Sequence, residues 1–396
     1  MTREAVIVAG ARTAVGKSKK GTTANERADE LMAAIIRDLL RQTEGKLDPA
    51  QLDDVIIGCA MPEGSQGLNF ARTIGIRAGL PVEVPAQTVN RFCSSGVQSI
   101  ANAAERIIAN GADIILAGGA ESMSLIPMSG FRISPNPYLA ENDPDVYMNM
   151  GLTAEHVAEQ YHITREMQDE FAVRSHQKSA AAIDSGKFKE EIVPVQITDC
   201  VVGSDGIPRE QTATFDTDEH LRRETSLDGL AKLQPVFKQG GSVTAGNSSP
   251  LSDGAAGVIV MERRMAERLG LKPLMRFVGY NVAGVPPSIM GVGPVKAVPR
   301  VLERAGLTLD DIDLIELNEA FAAQAVAVIN TLGMDPDKVN VNGGAIALGH
   351  PLGCTGAKLT VQLMNEMRRR GGKYGLVTMC VGGGQGAAAV YENLQV

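Results

Sequence analysis

The 396-residue sequence predicts an α/β protein made of two similar halves, each of the β–α–β–α–β type, with a loop domain inserted between them. Three observations predict this class. Short apolar runs alternate with helix-like patterns near both ends, as in βαβ units. The last third repeats the order of the first third, which indicates an internal duplication. The middle has a different composition, rich in methionine, proline and charged residues.

The first half alternates strands and helices in a regular order. Its strand-like runs are continuously apolar, for example Ile114-Ile115-Leu116-Ala117, which is typical of strands buried on both faces in a parallel sheet. We therefore expect a parallel sheet with helices on both sides. The predicted strands are 5–9, 55–58, 86–89 and 113–117, and the predicted helices are 28–42, 68–78 and 93–109.

The last third shows the same succession of elements. Residues 311–316 are similar to residues 53–58, and residues 339–342 correspond to residues 87–90. The remaining predicted elements are a helix over 320–332, a helix ending at 370 and a strand over 374–379. We therefore expect three domains: 1–120 completed by 242–270, a loop domain over 121–241, and a C-terminal half over 271–396.

The middle segment combines flexible apolar residues with one long polar helix. A helix is predicted from 164 to 185, where Thr164 can cap the first turn. The segment is either a lid over a ligand or an excursion on the surface. Methionine is adaptable and apolar, so its abundance here favours contact with a flexible acyl ligand. These methionines are Met123, Met128, Met148 and Met150.

Composition and charge exclude several classes of protein. The formal net charge of −8 gives no basic stripe for nucleic acid, so an anionic ligand would need a local basic cluster or backbone N–H groups. No apolar run approaches the roughly 18 residues that a membrane span needs. The five cysteines are widely spaced and match neither a disulfide framework nor a zinc site. We expect reduced thiols, no metal and a cytoplasmic location.

Cys93 is the first candidate for reactivity. It lies between a predicted strand and a predicted amphipathic helix, in the run Asn90-Arg91-Phe92-Cys93-Ser94-Ser95-Gly96. The positive end and free N–H groups of a helix favour a thiolate. Free cysteine is also among the most buried residue types, so an inert core cysteine is an equal alternative on this context.

Cys380 and His350 both lie next to glycine-rich turns. Cys380 ends a predicted strand and precedes Gly382-Gly383-Gly384, whose N–H groups can converge on an anionic oxygen. His350 is the one histidine that follows a glycine-rich turn and precedes a helix. The other four are surrounded by charged residues and are expected to be solvated, namely His156, His162, His176 and His220. Cys59 and Cys354 are expected to pack, and Cys200 has no suggestive context.

One near-match to a phosphate-binding loop can be rejected. Residues 11–18 approach the pattern G-x-x-x-x-G-K-[ST] after a strand, but the first position is Ala11. The pattern should also open a helix, whereas Lys19-Lys20-Gly21 continues as a loop. We therefore do not expect a nucleoside triphosphatase.

Motifs spread over nearly the whole chain resemble those of the thiolase family. They occur in family order and are Val6–Thr13, Asn90–Gly96, Gly118–Ser124, Thr244–Ser249, Asn318–Ala322, Gly343–Gly353 and Cys380–Gly384. The resemblance implies five α-β-α-β-α layers, with two five-stranded sheets and a loop domain over coenzyme A. It also implies a homodimer or homotetramer that acts on acyl-CoA and CoA, with no permanently bound cofactor.

The resemblance also implies roles for single residues. Cys93 would be the nucleophile that carries the acyl group, and His350 the base that activates it. Cys380 would be the second acid and base, acting on the α-proton of acetyl-CoA. Asn318 would hold a water in one oxyanion hole beside His350, and the N–H of Gly382 would help to form a second. These roles fit the chemistry, because cleavage between C2 and C3 of a 3-ketoacyl thioester releases an enolate.

The same resemblance implies contacts to CoA and a direction for the reaction. The corresponding positions for CoA are Arg222, Phe237, Ala245, Ser249 and Met150. The Asn90–Gly96 motif and the asparagine before Met150 resemble degradative 3-ketoacyl-CoA thiolases of β-oxidation. A biosynthetic acetyl-CoA acetyltransferase is the main alternative. A ketoacyl synthase would pair its cysteine with two histidines, and a lipid carrier would need no such set of reactive residues.

Overall fold

The computed structural model describes residues 3–202 and 206–395, which form twelve strands and twelve α-helices. The strands are β1 Ala5–Arg12, β2 Gly16–Lys17, β3 Asp54–Gly58, β4 Ala86–Val89, β5 Ile114–Ser122, β6 Val195–Val202, β7 Pro208–Phe215, β8 Ser252–Glu262, β9 Met275–Gly284, β10 Leu314–Leu317, β11 Tyr374–Val381 and β12 Gln385–Asn393. The helices are α1 Ala28–Gln42, α2 Phe70–Ala78, α3 Ser95–Ile108, α4 Pro137–Asn142, α5 Met150–Gln160, α6 Arg165–Asp184, α7 Leu227–Ala231, α8 Arg263–Arg268, α9 Gly293–Ala305, α10 Ala322–Leu332, α11 Ala345–Leu348 and α12 Leu352–Arg370.

The two halves have the same strand order. The first runs β4-β3-β5-β8-β1 and the second runs β10-β11-β12-β9. A parallel bridge from Ile315 to Val339 lies beside β10, where β4 lies beside β3 in the first half. The two sheets meet where β1 pairs with β9 through Val6–Arg276 and Ile7–Met275. The α/β class and the repeated order of elements are therefore confirmed.

The expectation of a parallel sheet is only partly correct, because the sheet of each half is mixed. The strand β3 pairs in parallel with β4 and β5, and β10 pairs in parallel with β11. The strand β8 runs antiparallel between β1 and β5, and β12 runs antiparallel between β11 and β9. The continuous apolar runs arise because helices cover both faces of each sheet, and that cover does not depend on strand direction. The apolar content therefore predicted correctly that the strands are buried, but it did not predict whether neighbouring strands run parallel or antiparallel.

Three apolar clusters define five layers. One joins α1 and α2 to the outer face of the first sheet, and another joins α9 and α10 to the outer face of the second. The third lies between the sheets and contains buried side chains of α3 and α12 together with strands of both halves. The α-β-α-β-α arrangement is confirmed.

The two central helices approach each other closely at glycines. A Cβ on Gly96 would lie 2.6 Å from the backbone nitrogen of Ala357, and a Cβ on Gly356 would lie 2.3 Å from that of Val97. Both contacts join the first turn of α3 to the second turn of α12. The residues that precede these helices, Cys93 and His350, are therefore brought towards the same end of the central layer.

The segment between the halves is anchored in the core. Thr164 caps α6 through the N–H of Met167, as the sequence predicted. The buried Arg12 side chain, from β1, donates to Glu191 at 2.8 Å and to Asp218 at 2.8 and 3.0 Å. The ring of Phe188 lies 5.0 Å from its guanidinium carbon. These contacts fix one end of the segment to the first sheet.

Candidate active site

Cys93 lies in a tight turn that leads directly into α3. The turn spans Phe92–Ser94, and Phe92 has a positive φ of 42°. This conformation is held by local hydrogen bonds, in which the N–H of Phe92 donates to Asn90 Oδ1 at 2.8 Å and the N–H of Arg91 donates to Ser95 Oγ at 2.9 Å. A bulky residue with positive φ is strained, and such strain is concentrated at functional sites.

The Cys93 thiol is protonated in the resting protein. Burial raises the pKa of Cys93 to about 12, although the N–H groups of Gly382 and of Cys93 itself favour the charged form. The backbone N–H groups at the helix start therefore favour the thiolate, as expected, but only 2% of the residue is exposed and desolvation has the larger effect on the pKa. A base is needed to make this sulfur nucleophilic.

His350 has the properties of such a base. Its Nδ1 lies 2.6 Å from Thr355 Oγ1, and that hydroxyl donates to the carbonyl oxygen of Pro351 at 2.9 Å. Since the hydroxyl proton is used, Nδ1 carries a proton and Nε2 is left with its lone pair. Burial, together with the charge of Lys358, lowers the pKa of His350 to about 3 and keeps the ring neutral.

Asn318 lies against His350 at the end of β10. Its Nδ2 is 3.3 Å from His350 Nε2, and its backbone N–H donates to Thr378 on β11 at 3.0 Å. Its Oδ1 is buried and has no hydrogen-bond partner among the described residues. A buried amide oxygen without a partner costs free energy, so this atom is suited to a water or a substrate donor.

Cys380 lies beside Cys93 although the two belong to different halves. It is fully buried at the end of β11 and is followed by the turn that contains Gly382. Burial and then the neighbouring Cys93 raise the pKa of Cys380. The structure therefore places a second protonated thiol next to the first, with the Gly382 N–H directed at the Cys93 sulfur.

Glu121 lies near the candidate site and belongs to the motif Gly118–Ser124, but no role was predicted for it. The buried carboxylate accepts hydrogen bonds from the N–H groups of Ala60 at 2.7 Å and Gly353 at 2.8 Å, and from Gln66 at 2.7 Å. It therefore fixes the start of α12 to the loop after β3. An acidic residue at the end of an otherwise apolar strand was the signal for this role.

The remaining cysteines differ from this pair. Cys59 and Cys354 are buried, and burial raises the pKa of both, so the prediction that they pack is confirmed. Cys200 is exposed on β6.

The predicted CoA contacts fall in two neighbouring places. Arg222 and Ala245 line a cleft of about 270 Å³. Phe237 packs on Gly151, directly after Met150, and its ring meets that of Phe321 edge-on at 6.0 Å. The N–H of Ser249 donates to Ala320 at 2.9 Å, two residues from Asn318.

Two histidines near this cleft are buried, in contrast to the expectation that they are solvated. His176 and His220 are 6% and 5% exposed, and burial lowers the pKa of each to about 4. His220 Nε2 lies 3.1 Å from the carbonyl oxygen of Gly16 and 3.0 Å from Ser252 Oγ. Charged neighbours in sequence did not reveal this burial, because it depends on residues far away along the chain, such as Gly16 and Ser252 for His220.

Sequence profiles identify the family to which these motifs point. The profile of the thiolase N-terminal domain matches residues 5–264, and that of the thiolase C-terminal domain matches residues 271–393. The chain belongs to the thiolase family. Like the thiolases it matches, it is an acyltransferase.

Named relatives match over the full chain. A 3-ketoacyl-CoA thiolase of Bacillus subtilis is 58% identical over 390 residues, covering 98% of this chain and 99% of that protein. An acetyl-CoA acetyltransferase of Pseudomonas aeruginosa is 48% identical, covering 98% of each. The crystal structure of human mitochondrial 3-ketoacyl-CoA thiolase superimposes with a TM-score of 0.88 at 41% identity, covering 99% of both chains.

Two other functional features are absent from the described residues. Residues 3–202 and 206–395 contain no group of three or more His, Cys, Asp or Glu side chains placed to hold a metal ion. Within the same ranges, no helix combines the length and the apolar character needed to cross a bilayer.

Proposed function

We propose that this thiolase cleaves 3-ketoacyl-CoA with CoA, giving acetyl-CoA and a shortened acyl-CoA, in the degradative direction of fatty-acid β-oxidation. The observations that support the chemistry are two neighbouring protonated thiols, Cys93 and Cys380, and a neutral histidine with a basic Nε2, His350, which precedes the helix packed against the one that Cys93 precedes. Such a set provides a nucleophile, a base and a separate acid.

The first half of the reaction forms the acyl-enzyme. His350 Nε2 takes the proton of Cys93, and the sulfur attacks the C3 carbonyl of the substrate. The C2–C3 bond then breaks, its electron pair passes to C2 as the enolate of acetyl-CoA, and Cys380 protonates C2. The enolate oxygen is stabilised by protonated His350 and a water held at Asn318, whereas the Gly382 N–H serves the oxygen of the acyl group on Cys93.

The second half restores the free protein. The thiol of CoA gives its proton to the Cys380 thiolate, and the sulfur of CoA attacks the acyl carbon on Cys93. The tetrahedral intermediate collapses and releases acyl-CoA and the Cys93 thiolate. That thiolate recovers its proton from His350. Both thiols and the neutral histidine are therefore regenerated without a permanently bound cofactor.

CoA would bind to the segment 121–241 and to the residues just after it. The contacts would be Met150, Arg222 and Phe237 within the segment, and Ala245 and Ser249 after it. Arg222 supplies a positive charge at the cleft for the phosphate groups. Phe237 and the first turn of α5 form an apolar surface for the pantetheine arm. The placement of Ser249 next to Ala320 directs this arm towards Asn318.

The degradative role rests on the relatives and on the motif around Cys93. The Bacillus subtilis relative at 58% identity is named a 3-ketoacyl-CoA thiolase. The alternative is the biosynthetic acetyl-CoA acetyltransferase, which is the name of the Pseudomonas aeruginosa relative at 48% identity. We expect kcat/KM for thiolysis of 3-ketooctanoyl-CoA to exceed that for acetoacetyl-CoA. Cleavage of acetoacetyl-CoA alone would support the biosynthetic alternative.

We also place the protein in the cytoplasm as a homodimer or a pair of dimers. The mechanism needs free thiols, which a reducing compartment maintains. The strand β4 forms one edge of the sheet, and the nearby Leu68 and Val82 are 98% and 69% exposed. An open edge beside apolar side chains is a surface that a second copy can cover. Sedimentation that shows only a 41.8 kDa species at micromolar concentration would contradict this assembly.

A further inference from the structure

Glu319 is a buried carboxylate that the proposed mechanism does not use. It follows Asn318 directly and is 1% exposed. Its Oε2 accepts hydrogen bonds from Ser175 Oγ at 2.6 Å and from the N–H of Ile346 at 3.2 Å. Its Oε1 accepts one from Asn340 Nδ2 at 2.7 Å. The three donors belong to three separate segments of the chain, so this one side chain links them.

The bond to Asn340 reaches the segment that carries Asn318. The N–H of Leu317 donates to Asn340 Oδ1 at 2.8 Å, and Asn340 Nδ2 also donates to the Leu317 carbonyl oxygen at 2.8 Å. Asn340 therefore pairs with the residue directly before Asn318. Because its φ is +45°, the backbone there is strained, and the two bonds to Leu317 together with Glu319 hold the side chain in place.

The bond to Ile346 reaches the segment that carries His350. Ile346 lies in α11, which ends at Leu348, two residues before His350. The backbone just before it leaves no space for a side chain, because a Cβ on Gly344 would lie 2.2 Å from the carboxyl carbon of Glu319. The carboxylate therefore packs directly on the loop that leads to the catalytic histidine.

We propose that Glu319 is a positioning residue that holds Asn318 and His350 in register, an inference that rests on the proposed function. Glu319 contacts neither reacting sulfur. Through Asn340 it fixes the backbone next to Asn318, and through Ile346 it fixes the backbone that leads to His350. Asn318 Nδ2 and His350 Nε2 contact each other and must both face the enolate oxygen. A displacement of about 1 Å between catalytic groups can lower a rate by about 10²-fold.

Glu319→Gln is the most informative variant because it keeps the shape of the side chain. The carboxylate has an acceptor oxygen on each side, whereas an amide has one acceptor and one donor. If the amide oxygen faces Ser175 and Ile346, the amide N–H groups face the N–H groups of Asn340. The reverse orientation opposes the N–H of Ile346. Either orientation therefore loosens one of the two catalytic segments.

We expect Glu319→Gln to lower kcat for thiolysis and the rate of α-proton exchange of acetyl-CoA by about 10²-fold. The KM for CoA should stay within about twofold, since no proposed CoA contact is changed. Deuterium uptake by acetyl-CoA measures the exchange. Rates are divided by the fraction of Cys93 that becomes acylated, measured by mass spectrometry, so that unfolded protein does not contribute.

Three further variants separate positioning from general stability. Asn340→Gly tolerates the positive φ but removes the link to Leu317, so it should reproduce the loss even where Glu319→Gln folds poorly. Ser175→Ala removes the bond to Glu319 and the bond that Ser175 Oγ accepts from the N–H of Gly344 at 3.2 Å. It keeps the contacts of Glu319 to Asn340 and Ile346, so its loss of exchange should be smaller than that of Glu319→Gln. Asp54→Asn is a matched control, since Asp54 is 5% exposed and binds Arg106 and Gln87 away from the site. It should lower the melting temperature without lowering exchange per acylated site.

Several results would overturn the inference. Normal exchange in both Glu319→Gln and Asn340→Gly would show that the link has no effect on the reaction. A loss in Ser175→Ala equal to that in Glu319→Gln would assign the effect to the Ser175 hydroxyl instead of Glu319, and an equal loss in Asp54→Asn would assign it to stability. A wild-type protein without thiolase activity on any 3-ketoacyl-CoA would instead overturn the proposed function.

Discussion

The two halves of this molecule have the same strand order but contribute different chemistry. In the first half, α3 is preceded by Cys93, and β5 ends at the buried carboxylate of Glu121, which accepts hydrogen bonds from backbone N–H groups, Gln66 and the Cys59 thiol. In the second half, α12 is preceded by His350, and β11 ends at Cys380. The common backbone brings the equivalent helix starts and strand ends of the two halves together. The side chains at these positions determine whether a position can take part in the reaction or holds the neighbouring backbone.

This difference teaches that burial acts in opposite senses on the two groups. It raises the pKa of the Cys93 thiol to about 12 and lowers that of His350 to about 3, so both are neutral at rest. Proton transfer from Cys93 to His350 turns this neutral pair into a thiolate and an imidazolium of opposite charge, so the net charge of the core does not change. Substitutions in each half should therefore affect different steps of the reaction, with effects that range from complete loss of acyl transfer to a change in stability alone.

Replacing Cys93 by alanine should abolish acyl transfer, because no thioester can form without the sulfur. Mass spectrometry of peptides from protein quenched with an acyl-CoA should show the acyl mass on the Cys93 peptide of the wild type and on no peptide of the variant. Cys354→Ala is a matched control, since that thiol is equally buried but packs in the central layer. Acyl label on Cys59 or Cys354 in the wild type would refute the assignment of the nucleophile.

Cys380→Ser should separate the two half-reactions. Slow acylation of Cys93 by acetyl-CoA should remain, because the attack on the thioester uses Cys93 and His350, and only the departing CoA thiolate loses Cys380 as its proton donor. Exchange of the acetyl-CoA α-proton and condensation should fall by about 10²–10⁴-fold, the usual contribution of general acid–base catalysis. Deuterium exchange and the mass of the Cys93 peptide measure the two steps. Wild-type exchange in this variant would show that Cys380 is not the acid.

Thr355→Val should reduce the rate of Cys93 acylation by about 10- to 100-fold, since a buried hydrogen bond of about 1–3 kcal/mol holds the Nδ1 proton of His350. Thr355→Ser keeps the hydroxyl and serves as the control. Because the pKa of His350 is about 3, its basic form is present above that pH and is lost as the pH falls through 3. Wild-type acylation should therefore show no loss from this histidine between about pH 5 and pH 7. An acidic limb near pH 6.5 that shifts in Thr355→Val would contradict this.

The smallest expected effect concerns the joint between the halves. Gly356→Ala places a Cβ 2.3 Å from the backbone of Val97 and should lower the free energy of unfolding by about 1–3 kcal/mol. Gly75→Ala is the matched control, because this helical glycine of α2 has its nearest neighbour 3.6 Å away and should gain about 0.5–1 kcal/mol. Chemical denaturation measures both. Equal stability of the two variants would mean that the helix crossing tolerates a wider spacing.

Much of the fold could be predicted because its signals are local. The predicted strand 86–89 and helix 28–42 have the observed bounds, since apolar period and turn residues determine such elements. The antiparallel direction of β8 and β12 could not be predicted, because it depends on how distant segments return to the sheet. The order of the halves and the candidate residues came from internal repetition and from the family motifs.

The environment of the site residues was harder to predict than their identity. The burial of His176 and His220 depends on packing by residues far away in sequence, and their charged neighbours suggested solvent exposure instead. The sequence left the thiol state of Cys93 open, since a helix start is visible in the sequence but the desolvation that outweighs it is not. Glu319 belongs to the motif Asn318–Ala322, but the three residues that donate hydrogen bonds to it lie 21 to 144 residues away along the chain. No local pattern therefore indicated its contacts.

The anchoring of Arg12 limits how the segment between the two halves can be exchanged between related enzymes. Its guanidinium is fully buried and relies on Glu191 and Asp218, both of which enter from the segment after α6. A chimaera that imports a new segment without these two acids would leave an unpaired charge in the core, at a cost of about 3–5 kcal/mol. Modular engineering of substrate range must therefore treat Arg12 and its two acids as a single transferable unit, although about 180 residues or more separate them along the chain.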